Sequence, residues 1–421
     1  LGGLNLTNTA VGGGGTTVIS FKGNTNQTIT STLLINQSRL PAVTINKPSG
    51  ILSFPALITV RGNWTYVAGT MDLVTNNATV VFNNSLSISG SHALNNVNLQ
   101  GTANYTFTIA TGTILTVTGT ISITGGSNVT ISTPVSGATG IEAQGDISIS
   151  NTGAGGGGTA TILIDGNGAQ SFTSSAPAGR GKMPFLRIQK ASGTLTLSGT
   201  ISESRDWTYS SGTVNASAST VAFGGNNLAI LSAGMNFYNV LITANTSTLG
   251  SSLTVANDLN ITGGVLAPGS NTINLSGNWA NYGTAGFTEA TSTVNLAGTA
   301  LQTITVPGGE NLSNMVLNNS GTGAQLLNDV TIASTFTMTQ GNLDLNGNNL
   351  NLGISVANKG TLAYTSGTII GTGSFKRWFN TASIADGSIN GLFPVGTASN
   401  YMPFYVSAPV SGPTTGGSIS L

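Results

Sequence analysis

Apolar and polar residues alternate along nearly the whole chain, in runs of four to six residues. Such runs begin at Val18, Thr79, Thr161, Thr220 and Thr293, and each ends on Gly or Asn. An alternation with a period of two residues predicts β-strands with one buried face, and no 3.6-residue apolar period is sustained for even three turns. The pattern therefore predicts an all-β protein with almost no helix.

The chain also repeats itself after a shift of 143 residues. About 25 of the 63 positions from Asn8 to Thr70 are identical to their shifted counterparts. The matched pairs include Gln27 with Gln170, Lys47 with Lys190, Trp64 with Trp207, and Tyr66 with Tyr209. Self-similarity of this length indicates a duplicated repeat architecture.

The starts of the five alternating runs are 61, 82, 59 and 73 residues apart. Unequal spacing argues against a propeller, whose blades keep one size, and favours an open solenoid. We therefore expect a parallel β-helix, right-handed by the crossover rule, with about 15 to 18 rungs. The residues predicted to point inward and stack include Ile45, Leu195, Leu197, Val255 and Leu343, and Asn at the turns is expected to adopt left-handed conformations.

The repeats predict three solenoid blocks, residues 1–150, 151–292 and 293–370, followed by a separate small β element over 371–421. Aromatic and basic residues are concentrated in this last segment. Because a terminal rung has a free strand edge, we expect the segment to cap the solenoid or to dock onto another molecule. The residues predicted to mediate association are Phe375, Trp378, Phe379 and Tyr401.

Charge is scarce, which excludes several classes of function. Twelve basic and twelve acidic side chains in 421 residues leave a net charge of zero, and there is no Cys. We therefore expect no nucleic-acid binding, no disulfides, and no membrane insertion, since no apolar run reaches the roughly 18 residues that span a bilayer. No metal or other cofactor is expected.

Carboxylates come close together in sequence at Glu142 with Asp146 and at Glu203 with Asp206. A β-helix hydrolase or lyase needs two or three acids that converge on one face. In the first repeat, Val60 occupies the position of Glu203, and the corresponding stretch carries no acid. We therefore interpret the cluster as a solvated loop with a local ion pair and expect no catalytic residue. His92, with no second His and no nearby acid, is interpreted as a turn residue.

Aromatic residues recur in pairs with the repeat: Trp64 with Tyr66, Trp207 with Tyr209, and Trp279 with Tyr282. The first two pairs lie two residues apart and so on one face of a strand. If this face points outward, the rings form platforms that can stack on sugars; if it points inward, they fill the core. The sequence leaves both alternatives open.

The repeats resemble those of very large secreted surface proteins of Bacteroidetes-type bacteria. The similarity is carried by Ile45 to Gly50, Gly62 to Thr70 and Thr79 to Gly90, and Phe393 to Ile419 is similar to the segment that often precedes a type IX secretion signal. The resemblance implies a bacterial, extracellular or cell-surface, adhesin-like or structural protein. We predict a non-enzymatic surface rod or filament subunit that binds itself, other surface proteins or glycans. The alternative is a carbohydrate-binding or carbohydrate-active β-helix protein.

Overall fold

The computed structural model describes residues 2–283, 286–410 and 412–421. The chain is an all-β parallel solenoid of about 17 turns, as the sequence predicts. In the described residues the only helical element is a 3₁₀ turn at Ile389–Gly391. The right-handed sense of the coil stays a prediction. The chain divides into two compact units, residues 1–228 and 229–421.

The described part of the first unit contains 21 strands, most of them three to five residues long. They are β1 (Leu4–Leu6), β2 (Val18–Lys22), β3 (Gln27–Ser31), β4 (Ala42–Ser53), β5 (Leu57–Val60), β6 (Trp64–Asp72), β7 (Thr79–Phe82), β8 (Leu86–Ser89), β9 (His92–Leu94), β10 (Asn96–Gly101), β11 (Tyr105–Ile109), β12 (Leu115–Val117), β13 (Ile121–Gly125), β14 (Val129–Ser132), β15 (Thr139–Ala143), β16 (Ile147–Ile149), β17 (Thr161–Ile164), β18 (Gln170–Ser174), β19 (Phe185–Glu203), β20 (Trp207–Asn215) and β21 (Thr220–Phe223). Strand β22 (Leu228–Leu231) begins at the last residue of this unit.

The described part of the second unit contains the remaining strands. They are β23 (Asn236–Phe237), β24 (Asn239–Ile242), β25 (Thr246–Leu249), β26 (Leu253–Val255), β27 (Leu259–Ile261), β28 (Val265–Ala267), β29 (Thr272–Leu275), β30 (Trp279–Asn281), β31 (Thr293–Leu296), β32 (Gln302–Thr305), β33 (Glu310–Asn318), β34 (Ala324–Leu326), β35 (Val330–Gln340), β36 (Leu343–Asp344), β37 (Asn349–Leu352), β38 (Thr361–Tyr364), β39 (Ile369–Ile370), β40 (Ser374–Phe379), β41 (Leu392–Phe393), β42 (Phe404–Tyr405) and β43 (Gly417–Ser420).

Parallel ladders connect strands from successive coils within each unit. In the first unit one ladder runs β2–β4–β6–β8–β11–β14, a second β5–β7–β10–β13–β16–β18, and a third β9–β12–β15–β17–β19. In the second unit the longest ladder runs β23–β26–β29–β31–β33–β35–β37–β40. Strand β43 pairs antiparallel with β40, so the parallel stack ends in the small C-terminal element.

The core consists of columns of apolar side chains in register along these ladders. One column in the second unit stacks six buried residues from successive coils: Leu253, Ile273, Val294, Met315, Phe336 and Leu362. The five residues predicted to point inward are all buried, at 0–1% exposure. Five of the eight non-glycine residues with positive φ in the described chain are Asn, which confirms the prediction for the turns. The period-two pattern thus places the core correctly.

Two long strands pass through corners of the coil at Lys47 and Lys190. Strands β4 and β19 continue through these positions, with shifts in the register of their pairing to β6 and β20. The chain bends inside a continuous strand because Gly50 and Gly193 adopt φ of 72° and 71°, which residues with a Cβ rarely do.

Candidate functional site

The three repeated tryptophans lie inside the solenoid. Trp64 and Trp207 are 0% exposed and Trp279 is 1% exposed. Phe82, Phe223 and Phe287 contact the three indoles, in that order, in T-shaped geometry with ring centroids 4.8–6.3 Å apart. The outward alternative is therefore wrong for these residues: their indoles are core fillers and cannot stack on a sugar.

The partner tyrosines do not form platforms with them either. The Tyr66 hydroxyl donates to the Gly69 carbonyl at 2.7 Å, and the Tyr209 hydroxyl donates to the Gly212 carbonyl at 2.6 Å. Both tyrosines are only partly exposed, and each closes a turn of its own strand. Tyr282 is 57% exposed, but Trp279 beside it is buried. The predicted aromatic pairs are thus split between core and surface.

Two of the buried indoles donate to a titratable side chain that arrives from the next coil. Trp64 Nε1 donates to His92 Nε2 at 2.8 Å, and Trp279 Nε1 donates to Glu310 Oε2 at 3.1 Å. Both acceptors are the first residue of a strand whose three leading residues are buried, exposed and buried. His92 is therefore a core residue, and its interpretation as a turn residue is wrong. The 143-residue shift places Met235 at the corresponding position of the second block.

The hydrogen bonds of His92 define its neutral form. Because Nε2 accepts from the indole, Nδ1 carries the proton and donates to the Gly90 carbonyl at 2.6 Å. Burial lowers the pKa of His92, while the Gly90 carbonyl opposes the shift. Burial likewise raises the pKa of Glu310, although hydrogen bonds from Asn281 and Trp279 favour its charged form.

Sequence reasoning missed two buried lysines at equivalent corners. Lys47 is 1% exposed, and its Nζ donates to the Thr25 carbonyl at 2.8 Å, to Gln27 Oε1 at 3.1 Å and to the Gly23 carbonyl at 3.4 Å. Lys190 makes the same three contacts, to the Gly168 carbonyl at 3.1 Å and to Gly166 and Gln170. Each ammonium group thus ties its own coil to the preceding one. The sequence did indicate these buried lysines. Gln and Lys recur together in the repeat, and Lys47 lies on the same face of β4 as the buried Val43 and Ile45.

The two pairs of acids do not form a catalytic cluster, and the interpretation of Glu203 as part of a solvated loop with a local ion pair is wrong. Glu203 is 1% exposed and points inward, in register with Phe223, and neither of its carboxyl oxygens has a hydrogen-bond partner in the described residues. Burial therefore raises its pKa well above the usual value. Asp206 instead lines a small surface cleft of about 180 Å³ with Arg187 and Thr208. Glu142 accepts from Thr116 Oγ1 at 3.0 Å, and Asp146 accepts from the Ser171 amide.

The four residues predicted to mediate association occupy different environments. Phe375 and Phe379 are 0% and 7% exposed and pack against Phe393, so the prediction of an external contact is wrong for both. Trp378 is half-buried, with Lys376 Nζ 4.6 Å from its ring centroid. Tyr401 is 44% exposed and stacks on Tyr364 with centroids 6.0 Å apart. Burial of the two phenylalanines follows from the strict alternation of β40, which turns every second side chain inward.

A polar cavity of about 190 Å³ lies between the start of β38 and the end of β40. Its lining includes two basic residues, Lys359 and Arg377, and the hydroxyl and amide side chains of Thr361, Asn380, Ser383 and Asn390. No Asp or Glu is among its described lining residues. In this chain, where charged residues are few, such a site is chemically distinct from the neutral outer faces of the coils.

Arg377 is the unusual group at this cavity. It is 5% exposed, its Nη1 donates to the Ile389 carbonyl at 3.3 Å and to the Leu392 carbonyl, and its guanidinium carbon lies 5.6–5.7 Å from the centroids of the Phe379 and Phe393 rings. Its Nε has no hydrogen-bond partner in the described residues. Burial lowers the pKa of Arg377 to about 10, so the group is a cation at neutral pH.

No family model, curated protein or solved structure matches the chain. Across residues 2–283, 286–410 and 412–421, no group of three or more His, Asp or Glu side chains could hold a metal ion. In the same ranges, no helix is long and apolar enough to cross a membrane.

Proposed function

We propose that the protein is a non-enzymatic, extracellular structural or adhesive β-solenoid. One observation carries the proposal: five titratable side chains, including the only histidine of the sequence, are built into the core. His92, Lys47, Lys190, Glu203 and Glu310 are each less than 10% exposed. A general acid or base must reach the proton that it transfers, and these groups instead face other core atoms.

The exposed carboxylates support the same proposal. The cleft at Asp206 has no second acid among its described lining residues, whereas glycoside hydrolysis ordinarily uses two carboxyl groups flanking the bond. The carbohydrate-binding alternative loses its platforms, because the three repeated indoles are buried.

The outer surface is suited to a spacer or adhesive role. Neutral side chains are hydrogen-bonded from coil to coil, as in Asn295 Nδ2 to Asn274 Oδ1 at 2.9 Å and Ser89 Oγ to Thr65 Oγ1 at 3.2 Å. Such ladders stiffen neighbouring coils and leave little charge on the surface. The extracellular setting is supported by the resemblance of the repeats to secreted surface proteins.

Two measurements test the proposal. Incubation with a panel of neutral and acidic polysaccharides should release no new reducing ends and no unsaturated products, and antibodies should label the protein on intact cells that produce it. Turnover that disappears in both Asp206→Asn and Glu203→Gln would make the protein an enzyme. Labelling only after cell lysis would contradict the extracellular role.

A further inference from the structure

We propose that the cavity between β38 and β40 binds the carboxylate of an acidic sugar. The inference starts from Arg377, a residue that is 5% exposed and has no carboxylate beside it among the described residues lining the cavity. A buried cation without a counterion is costly, and two carbonyls and two phenyl faces compensate for only part of this cost.

The cavity has two basic side chains and no Asp or Glu among its described lining residues, so the protein itself provides no anion to balance their charge. Lys359 adds a second positive charge at the exposed edge, and Asp386, the nearest acid along the chain, is exposed and does not line the cavity. Arg377 Nε is buried and has no acceptor in the described residues, so the protein satisfies the guanidinium only in part. An oxyanion would therefore enter a cavity with two cations and no competing carboxylate.

The rest of the lining favours a sugar over a simple ion. Thr361, Asn380, Ser383 and Asn390 provide hydroxyl and amide groups that can donate to and accept from ring hydroxyls. The volume of about 190 Å³ holds roughly six water molecules at ~30 Å³ each, a space suited to one polar ring rather than to an extended chain. A single hexuronate residue fits this combination of size, charge and hydrogen-bonding groups. Such a site would give an adhesive solenoid a ligand, and it is independent of whether the protein has any enzymatic activity.

Isothermal titration calorimetry of the full chain with glucuronate, galacturonate, glucose, acetate and sulfate tests the proposal at matched ionic strength. The two uronates should bind saturably and more weakly as salt rises, and glucose should not bind. Lys359→Gln should weaken uronate binding about two- to fivefold, as expected for one exposed charge pair, and Arg377→Met should abolish it.

The control is Lys22→Gln, which removes another exposed lysine, in the first unit, and should leave binding unchanged. Because Arg377→Met could disturb the C-terminal element, Lys359→Gln carries the test if the circular dichroism of the arginine variant changes. Absence of uronate binding in the wild type, or unchanged binding in Lys359→Gln, would overturn the site. Acetate or sulfate binding as tight as that of the uronates would overturn the assignment to a sugar.

Discussion

Replacing Glu203 with valine should stabilise the first unit. The Glu203 carboxyl is buried without a hydrogen-bond partner in the described residues, which costs about 1–3 kcal/mol. Val60 occupies the same position of the first repeat, is 0% exposed, and pairs with Phe82 as Glu203 pairs with Phe223. Valine has three apolar side-chain carbons against the two methylenes of glutamate, so no apolar burial is given up, and the net gain expected for Glu203→Val is about 1–3 kcal/mol.

The pH dependence gives a second, independent signature. Since the pKa of Glu203 is raised by folding, the folded state binds more protons than the unfolded state between the two pKa values. The contribution of Glu203 to stability is therefore complete below the unfolded pKa, near 4.3, and is lost as pH rises through the folded pKa, at about 1.4 kcal/mol per pH unit. Glu203→Val should remove this slope. Glu203→Gln should also remove it, but without the gain at low pH, because a buried polar group remains.

Hydrogen exchange measured by mass spectrometry is the suitable assay, since solenoids can unfold coil by coil and one global free energy is then poorly defined. Amides of Phe185–Glu203 and Thr220–Phe223 should exchange more slowly in Glu203→Val than in the wild type, and the difference should grow from pH 4.5 to pH 8 after correction for intrinsic exchange. Faster exchange in a variant with an unchanged circular dichroism spectrum would refute the reasoning. So would a difference that does not depend on pH.

Two further substitutions test the other buried polar groups. His92→Met, which copies Met235 of the second block, should remove a stability loss that the wild type shows as pH falls below about 6.5, the unfolded pKa of His, because folding lowers the pKa of this residue; urea unfolding at pH 5 and pH 7.5 measures it, and an equal acid loss in both proteins would contradict the assignment. Lys47→Met should cost about 3 kcal/mol because three oxygen acceptors lose their donor, whereas Lys22→Gln, at an exposed lysine, should change stability by less than about 0.5 kcal/mol; equal thermal unfolding midpoints for the two variants would rule out the corner role.

The alternation of apolar residues was sufficient to predict the fold, because a period of two fixes which side chains share a face. Ile45 and Leu343 are buried as expected, and the strands pair in parallel from coil to coil. The same parity places Lys47 on the inward face, yet lysines are so rarely buried that sequence reasoning assigns them to the surface. Lys47 is an exception because three backbone and side-chain oxygens accept hydrogen bonds from its ammonium group. No sequence pattern shows directly that these oxygens lie close together.

The C-terminal cavity was out of reach of sequence reasoning for a different reason. Its residues come from two stretches, 359–362 and 377–390, whose contact depends on how the last coil meets β40. The cluster of bases and aromatics at Lys376 to Phe379 was visible, and it suggested an external contact surface. Alternation along β40 divides the cluster, with Arg377 and Phe379 turned inward and Lys376 and Trp378 outward. The sequence therefore identified the region, but the face of β40 on which each side chain lies determines whether it is buried or available at the surface.

The residues near the repeated tryptophans differ in a way that indicates a packing role rather than a catalytic or ligand-binding one. All three indoles are buried; Trp64 donates to His92 and Trp279 donates to Glu310, whereas the repeat places Met235 at the position equivalent to His92. A catalytic or ligand-binding position needs one particular chemistry, since an imidazole, a thioether and a carboxylic acid differ in charge, basicity and hydrogen bonding. A core position needs only a side chain of suitable size that tolerates the indole N–H. The variation among His92, Met235 and Glu310 is therefore what a packing role predicts, and it argues that a ligand site should be sought outside the repeated core.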